Sequence, residues 1–509
     1  MVQLVILLRK ETTILDNYFS SEFVNQLLNR IDNLTAVGTS LTEQIAIQNE
    51  TIFKLNGTIT ALSEENALLK ERLNKNSKNS SKPPSTDGFD KPKPKSLRKP
   101  SGKKQGAQIG HKGNGFSLLS EPDELVLHKP NACNGCLNVD NCKSCSASEN
   151  RYVVDITVAT NVVAHNTISY SCPKLNGAII SGSFPSNVTS TMQYGDNLEA
   201  LAIALNTSGM MSLKRTHEIL SAVFGIPISA GTVFQMVKDC GAKLIATVDH
   251  IREVVTSLPL VHFDETGLRV DKKLHWVHSA SNDLYTYLSI ETKRGQVGMD
   301  ASGVLPGFAG IAIHDFWKPY WGYAGVTHAV CNAHLLRELT GITDNHPDQI
   351  WANAMIKLLL RMKKICDRFV AQGKACLSYY YHHCFQMEYD NIIEQARRMN
   401  PIEDKPVGKR GRQKKGKIRA LIERFVEYKE SVCLFTKNFK VPFDNNQAER
   451  DIRMIKVKQK VSGCFRTKEG ADTFATIMSY LGTATKHDIN SYVAIKSALA
   501  GQSEKLIFA

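Results

Sequence analysis

A chain of 509 residues is long enough for roughly two to four domains, so a single compact unit is not expected. Lys and Arg number 63 against 49 Asp and Glu, a formal charge of +14, which attracts a polyanion such as nucleic acid or an anionic membrane surface and disfavours basic partners. The apolar run Leu4 to Leu8 falls far below the ~20 residues of a bilayer span and lacks a signal peptide's n-region and cleavage site, so a soluble cytoplasmic protein without a membrane partner is expected.

Residues 22–75 are read as a coiled coil. Ile45, Ile52, Ile59 and Leu73 share one heptad position, and Leu41, Leu55, Leu62 and Leu69 share the other. Gln48 and Asn66 interrupt the seam, which costs stability but fixes register or strand number, and Gly57 weakens the helix. A homo-oligomer formed through this helix is expected. Residues 76–118 are rich in Lys, Pro, Ser and Gly and cannot bury enough apolar surface to fold alone, so they read as a basic disordered linker. Lys103 and Lys104, with the lysines before them, make it either a phosphate-binding arm or a solvated spacer.

Residues 119–184 carry Cys133, Cys136, Cys142 and Cys145 in CNGCLNVDNCKSC. Two thiolate pairs on short loops match tetrahedral Zn²⁺, which would fold a module too small for a core of its own. His128 lies close enough in sequence to replace one of them. The other cysteines are scattered and carry no assigned function. Residues 185–255 read helical, with two amphipathic runs joined at Gly225 to Ser229: either a helix-turn-helix whose reading helix starts near Ala230, or an ordinary packed pair.

From residue 256 to 344 the texture turns to short apolar strands, LPLVHFD, LHWVHSAS and LYTYLSI, then a helical stretch near Gly298 to Leu305, then GIAIHD. Three antiparallel strands, a helix and a parallel strand open a ribonuclease-H-like α/β domain. Residues 345–435 read as a helical insertion with a basic loop, and 436–509 as the C-terminal part of the catalytic core. The fold class is therefore multidomain α/β.

Phosphodiester transfer needs one oxygen activated and another stabilised, which two divalent ions about 4 Å apart can supply if carboxylates hold them. Asp264 ends LVHFD, Asp315 ends IAIHD, and Glu449 lies in DNNQAERDIRM, whose helix start is signalled by Asp444 to Asn446. These three are the candidate ligands of Mg²⁺ or Mn²⁺. Glu265 points to the opposite face if the strand continues past Asp264. In HAVCNAHLLREL, His328, Cys331 and His334 carry ligand-like side chains, but a strand entering a helix at the edge of the site explains the segment better than zinc.

At these motifs the chain resembles the DDE transposases of the sixty-sixth insertion-sequence group, the TnpC-like family. The resemblance runs through the zipper, NSKNSSKPPS, GAQIGHKG, the Cys cluster, QYGDNLEAL, HFDETG, IHDFWKPYW, HAVCNAHLLREL and VPFDNNQAERDIRMIKVKQKVSGCFRT. It implies that Asp264, Asp315 and Glu449 act as a catalytic triad, that DNA is cleaved at the element's terminal inverted repeats, and that the freed 3′ hydroxyl joins target DNA. One departure is that Cys172 is followed by Pro173, Lys174 and Leu175, where the family shows a second CxxC. Contacts to DNA are expected from His334, Arg337, Arg450, Arg453, Lys456, Lys458, Lys460 and Arg466, although a solvated helix face would also carry such cations. The competing readings are a nuclease that hydrolyses without joining, and an inactive relic or regulator that binds ends without chemistry.

Overall fold

Ser20 caps the first helix, α1 (Ser21–Leu73), by accepting the Phe23 amide on its side chain. The computed structural model describes residues 20–80, 159–176, 178–402 and 416–508, together with positions 126, 151, 153 and 156. Two compact units divide the chain. One draws on Met1–Pro92, Leu335–Leu358 and Glu388–Ala420, the other on Lys93–His334, Leu359–Met387 and Leu421–Ala509. No helix among the described residues is long and apolar enough to cross a membrane.

In the first unit, α1 runs unbroken through Gly57 for 53 residues, about 80 Å at 1.5 Å per residue. Its heptad residues are exposed, Leu41, Ile45, Ile52, Leu55, Ile59, Leu62 and Leu69 each keeping roughly half of their surface. The end of α1 is tied down: Glu71 pairs with Lys417 at 2.6 Å, which holds its carboxyl below the usual range. The Asn79 amide donates to the Asn74 carbonyl at 2.9 Å and to Asp344 at 3.2 Å. The expected disordered linker therefore does not begin at Asn76. Residues up to Ser80 form a hydrogen-bonded turn, because Asn and Ser side chains there substitute for missing backbone partners.

In the second unit, a small antiparallel hairpin, β1 (Ser169–Cys172) and β2 (Ala178–Ser181), precedes α2 (Asp196–Asn206), α3 (Leu213–Phe224) and α4 (Ala230–Ser257). Gly225 ends α3 at φ +64°, the left-handed conformation a residue with a Cβ rarely adopts, and Ser229 caps α4. The junction stands where the sequence placed it. The buried stripe of α4, Val233, Val237, Cys240, Leu244, Val248, Ile251 and Val255, joins the core beneath the main sheet.

That sheet has five strands in the order β5-β4-β3-β6-β7: β3 (Leu260–Val270), β4 (Lys273–Ser281), β5 (Thr286–Glu291), β6 (Ile311–His314) and β7 (Thr327–Val330). β3, β4 and β5 pair antiparallel, and β6 and β7 add in parallel beyond β3. α5 (Gln296–Ser302) lies between β5 and β6 in sequence. The strand bearing Asp264 does not stop there. It continues to Val270 because a two-residue turn at Asp271 and Lys272, both at positive φ, returns the chain as β4 with a twist that suits a hairpin.

The intervening helices are α6 (Asn332–Asn345), α7 (Ile350–Ala371), α8 (Tyr379–Met399), α9 (Lys417–Glu427) and α10 (Lys429–Lys437), followed by α11 (Asn446–Ser462), α12 (Lys468–Lys486), α13 (Ser491–Leu499) and α14 (Ser503–Phe508). One sheet face, with Val261, Phe263, Ala280 and Tyr287, packs on α4. The other, with Leu268, Val270, Val277, Leu288 and Ile290, packs on Ile452 and Ile455 of α11 and Phe474 of α12. α12 also seals the free edge of β5, its Ser479 and Thr483 hydroxyls accepting the Leu288 and Thr286 amides at 2.9 and 3.1 Å. α12 approaches α4 so closely that a Cβ on Gly241 would stand 2.6 Å from a Thr473 methyl.

Candidate active site

Strand alternation puts Asp264 on the α11 face of the sheet, opposite Ser279, two residues beyond the last parallel pair of β3 and β6, His262 with Ile313. Asp315 follows directly on β6, and Glu449 stands in the first turn of α11. Asp264 lies in the field of the other two carboxylates. Burial drives the Asp264 carboxyl well above the usual range, the charges of Glu265, Asp315 and Glu449 push it further, and only the Glu265 amide, 2.9 Å from its Oδ1, pulls back. Such a concentration of like charge in a half-buried site suits a divalent cation.

Asp315 is fixed by the Trp317 amide, which donates to its Oδ1 at 3.0 Å. Between them Phe316 sits at φ +75°, a strained conformation for a side chain of that size. Its ring packs edge-on to Tyr428 and against Trp321, with Arg424 above it, so the surrounding aromatics hold the turn.

Glu265 points the other way, as alternation requires, and its side chain is fully buried. It accepts Arg294 Nε and Nη2 at 3.0 and 2.7 Å on one oxygen and the Tyr320 hydroxyl at 2.7 Å on the other. Burial, then the Asp315 charge, raises its carboxyl to about 7 against the pull of these donors. The guanidinium of Arg294 lies 4.0 Å from the Trp317 ring centre and 5.0 Å from that of Trp276. Glu265 thus supports β3 from behind, and its partner Arg294 lies over the ring of Trp317, whose amide orients Asp315.

Asn445 is the residue sequence reasoning missed. It was expected to serve with its neighbours as a helix cap, yet its side chain makes no capping bond. It turns into the core, donating from Nδ2 to the Phe263 carbonyl at 2.8 Å and meeting His262 Nδ1 at 2.7 Å, while its amide reaches Cys331 Sγ at 3.2 Å. It is Asp444 that accepts the Asn446 amide. Asn445 therefore ties the start of α11 to β3 and to the end of β7.

Cys331, His334 and Glu449 have donor atoms within 4.8 Å of one another, His334 Nε2 standing 3.9 Å from Glu449 Oε1. Burial pushes the Cys331 thiol up to about 12. His328 lies apart, against His314 at 3.1 Å and the Tyr323 carbonyl at 3.3 Å.

The cations divide by helix face. Arg450, Arg453 and Lys460 on α11 are exposed, as is Arg466, and Arg337 on α6 is half-buried. Lys456 is half-buried and donates to the Gly267 carbonyl. Lys458 corrects the expectation of a phosphate contact. It is buried, its ammonium donates to the Asn206 and Met211 carbonyls at 2.8 and 3.1 Å, and desolvation lowers it to about 8. Lys103, Lys104, His128 and the four clustered cysteines, Cys133, Cys136, Cys142 and Cys145, lie outside the described residues.

The profile of the Transposase IS66 family matches residues 191–473, more than half of the chain and every residue of the site just described. The chain belongs to this family. The IS66 match begins just before α2 and ends within α12, so it spans the five-stranded sheet, the helices after it and α11. A family of unknown function (DUF6444) matches residues 31–116, which takes in most of α1 of this transposase. No curated protein matches the chain.

Proposed function

We propose that this IS66 transposase binds the ends of its insertion sequence, cleaves the DNA there and joins the freed 3′ hydroxyl to target DNA. The observation that supports the proposal is that the charges of Asp315, after β6, and Glu449, on α11, both act on the buried Asp264 carboxyl of β3. Two bound divalent ions, Mg²⁺ or Mn²⁺, would activate the attacking oxygen and stabilise the leaving one. The chain's own part is to hold the carboxylates. The Glu265 amide orients Asp264, the Trp317 amide orients Asp315, and Asn445 sets the start of the helix that carries Glu449. A sheet of three antiparallel and two parallel strands, with an acid on the central strand, supports a ribonuclease-H-like reading of this domain. The helices from α7 to α10 are then an insertion between its two parts.

Exposed Arg450, Arg453 and Lys460 supply cations along one face of α11, beside the carboxylate in its first turn, where DNA phosphates would run. Pairing of two DNA ends fits a homo-oligomer built on α1, whose apolar seam is uncovered. Zn²⁺ on Cys133, Cys136, Cys142 and Cys145 would add a small end-binding module.

The test is cleavage and joining on DNA carrying the element's own ends, with Mg²⁺ or Mn²⁺, for the wild type and for Asp264→Asn, Asp315→Asn and Glu449→Gln. Joining by the wild type, lost in each variant with end binding retained, is the expected outcome. Binding without cutting by the wild type under either metal would make the chain an end-binding regulator or relic.

A further inference from the structure

Resting on the reading that the three carboxylates hold divalent ions, we propose that His334 is a nitrogen ligand to the ion held by Glu449, making that position a mixed imidazole and carboxylate site that prefers Mn²⁺ to Mg²⁺. The separation of His334 Nε2 and Glu449 Oε1 is 3.9 Å. That is too long for a hydrogen bond. Two ligand atoms each about 2.0–2.2 Å from one ion stand at most about 4.4 Å apart, so a single ion fits between these two.

Both side chains are placed at the starts of helices. His334 lies in the first turn of α6, its amide donating to the Cys331 carbonyl at 3.1 Å, and Glu449 lies in the first turn of α11. Asn445 joins the two helix starts by donating its amide to Cys331 Sγ, which fixes α11 against the end of β7. Cys331, the third donor of the cluster, is buried with its sulphur already engaged by that amide, so nitrogen and carboxylate are the pair left facing each other. Mg²⁺ is bound through one or two carboxylates and retained waters, whereas imidazole suits first-row transition ions such as Fe²⁺, Ni²⁺ and Zn²⁺, a row to which Mn²⁺ belongs and Mg²⁺ does not. A nitrogen donor at one of the two positions therefore biases that position alone.

The experiment is titration of the full-length chain with Mn²⁺, free ion being read by electron paramagnetic resonance without DNA. His334→Ala and His334→Gln are expected to weaken one bound Mn²⁺ about tenfold or more, with the melting temperature of the metal-free chain unchanged. His334→Asp restores binding and lowers the ratio of Mn²⁺ to Mg²⁺ affinity, since an oxygen donor replaces nitrogen. In Glu449→Gln, adding His334→Ala causes no comparable further loss, because both act on the same ion. Mn²⁺ affinity within about twofold of wild type in both His334→Ala and His334→Gln overturns the proposal, as does a loss of DNA affinity with Mn²⁺ binding intact, which would make His334 a phosphate contact. Those results leave the transposase reading standing if Asp264→Asn is inert. Cleavage by Asp264→Asn would remove that reading whatever His334 does.

Discussion

The Asn445 side chain holds the carbonyl of Phe263 and the ring of His262 at one buried point, so replacing it by Ala takes a partner from each, while the backbone amide that reaches Cys331 Sγ stays in place. A buried group stranded in this way costs about 1–3 kcal/mol. Asn445→Ala is expected to lose at least that much in chemical denaturation, and to lower strand cleavage more than end binding because Glu449 follows on the same turn. Equal stability of variant and wild type would show that the bridge contributes nothing.

Lys458 offers a pH test. Its ammonium is lowered to about 8 by burial against an ordinary value of 10.5. Between those limits the unfolded chain binds the proton more readily than the folded one, so stability rises with pH through the window, and below about pH 8 the cost of burying the charge is constant. Across pH 8–10 the melting temperature of the wild type should climb relative to that of Lys458→Met, and parallel curves would rule the burial effect out. The inward turn of Lys458 was legible in principle. Ala448, Ile452 and Ile455 form the buried stripe of α11, and position 458 lies three residues on along that stripe. Reading the cations as a cluster hid it, whereas Arg453 and Lys460, two turns apart, do share the exposed face.

At the level of elements, α12 closes the sheet by chemistry rather than by shape. Ser479 and Thr483, one helical turn apart, meet the amides of Leu288 and Thr286, two residues apart on β5, because both spacings come to about 6–7 Å. Ser479→Ala with Thr483→Val should cost about 1–3 kcal/mol in total and leave a strand edge open to other chains, which light scattering during refolding would report. Apolar runs between polar breaks gave away β3, β4, β5 and β6, and Ser229 marked the start of α4. The run of β3 beyond Asp264 was not visible, since Asp271 and Lys272 carry no glycine to announce a tight hairpin turn. Candidate carboxylates could be chosen from strand ends and motif resemblance. Their mutual influence, the Glu265 support and the Asn445 bridge depend on partners as much as 183 residues away, which local pattern cannot supply.

At the scale of the whole molecule, α1 carries a long ladder of exposed apolar side chains, from Leu41 to Leu73. Leu55→Glu with Ile59→Glu places charge at both seam positions. Sedimentation should then show a smaller species than the wild type, with the sheet-bearing unit still folded, while an unchanged assembly would place self-association elsewhere.

The separation of Asp315 from Glu449 also has a meaning in time. At roughly 5–20 residues per second, synthesis delivers α1 and both aspartates about 7–27 s before the glutamate appears. Until then the nascent chain holds the exposed apolar ladder of α1 and two of the three carboxylates. On the proposed function, a message cut short before α11 would yield a product that pairs with intact copies through α1 and contributes no chemistry, a dominant inhibitor that follows from the order of the elements.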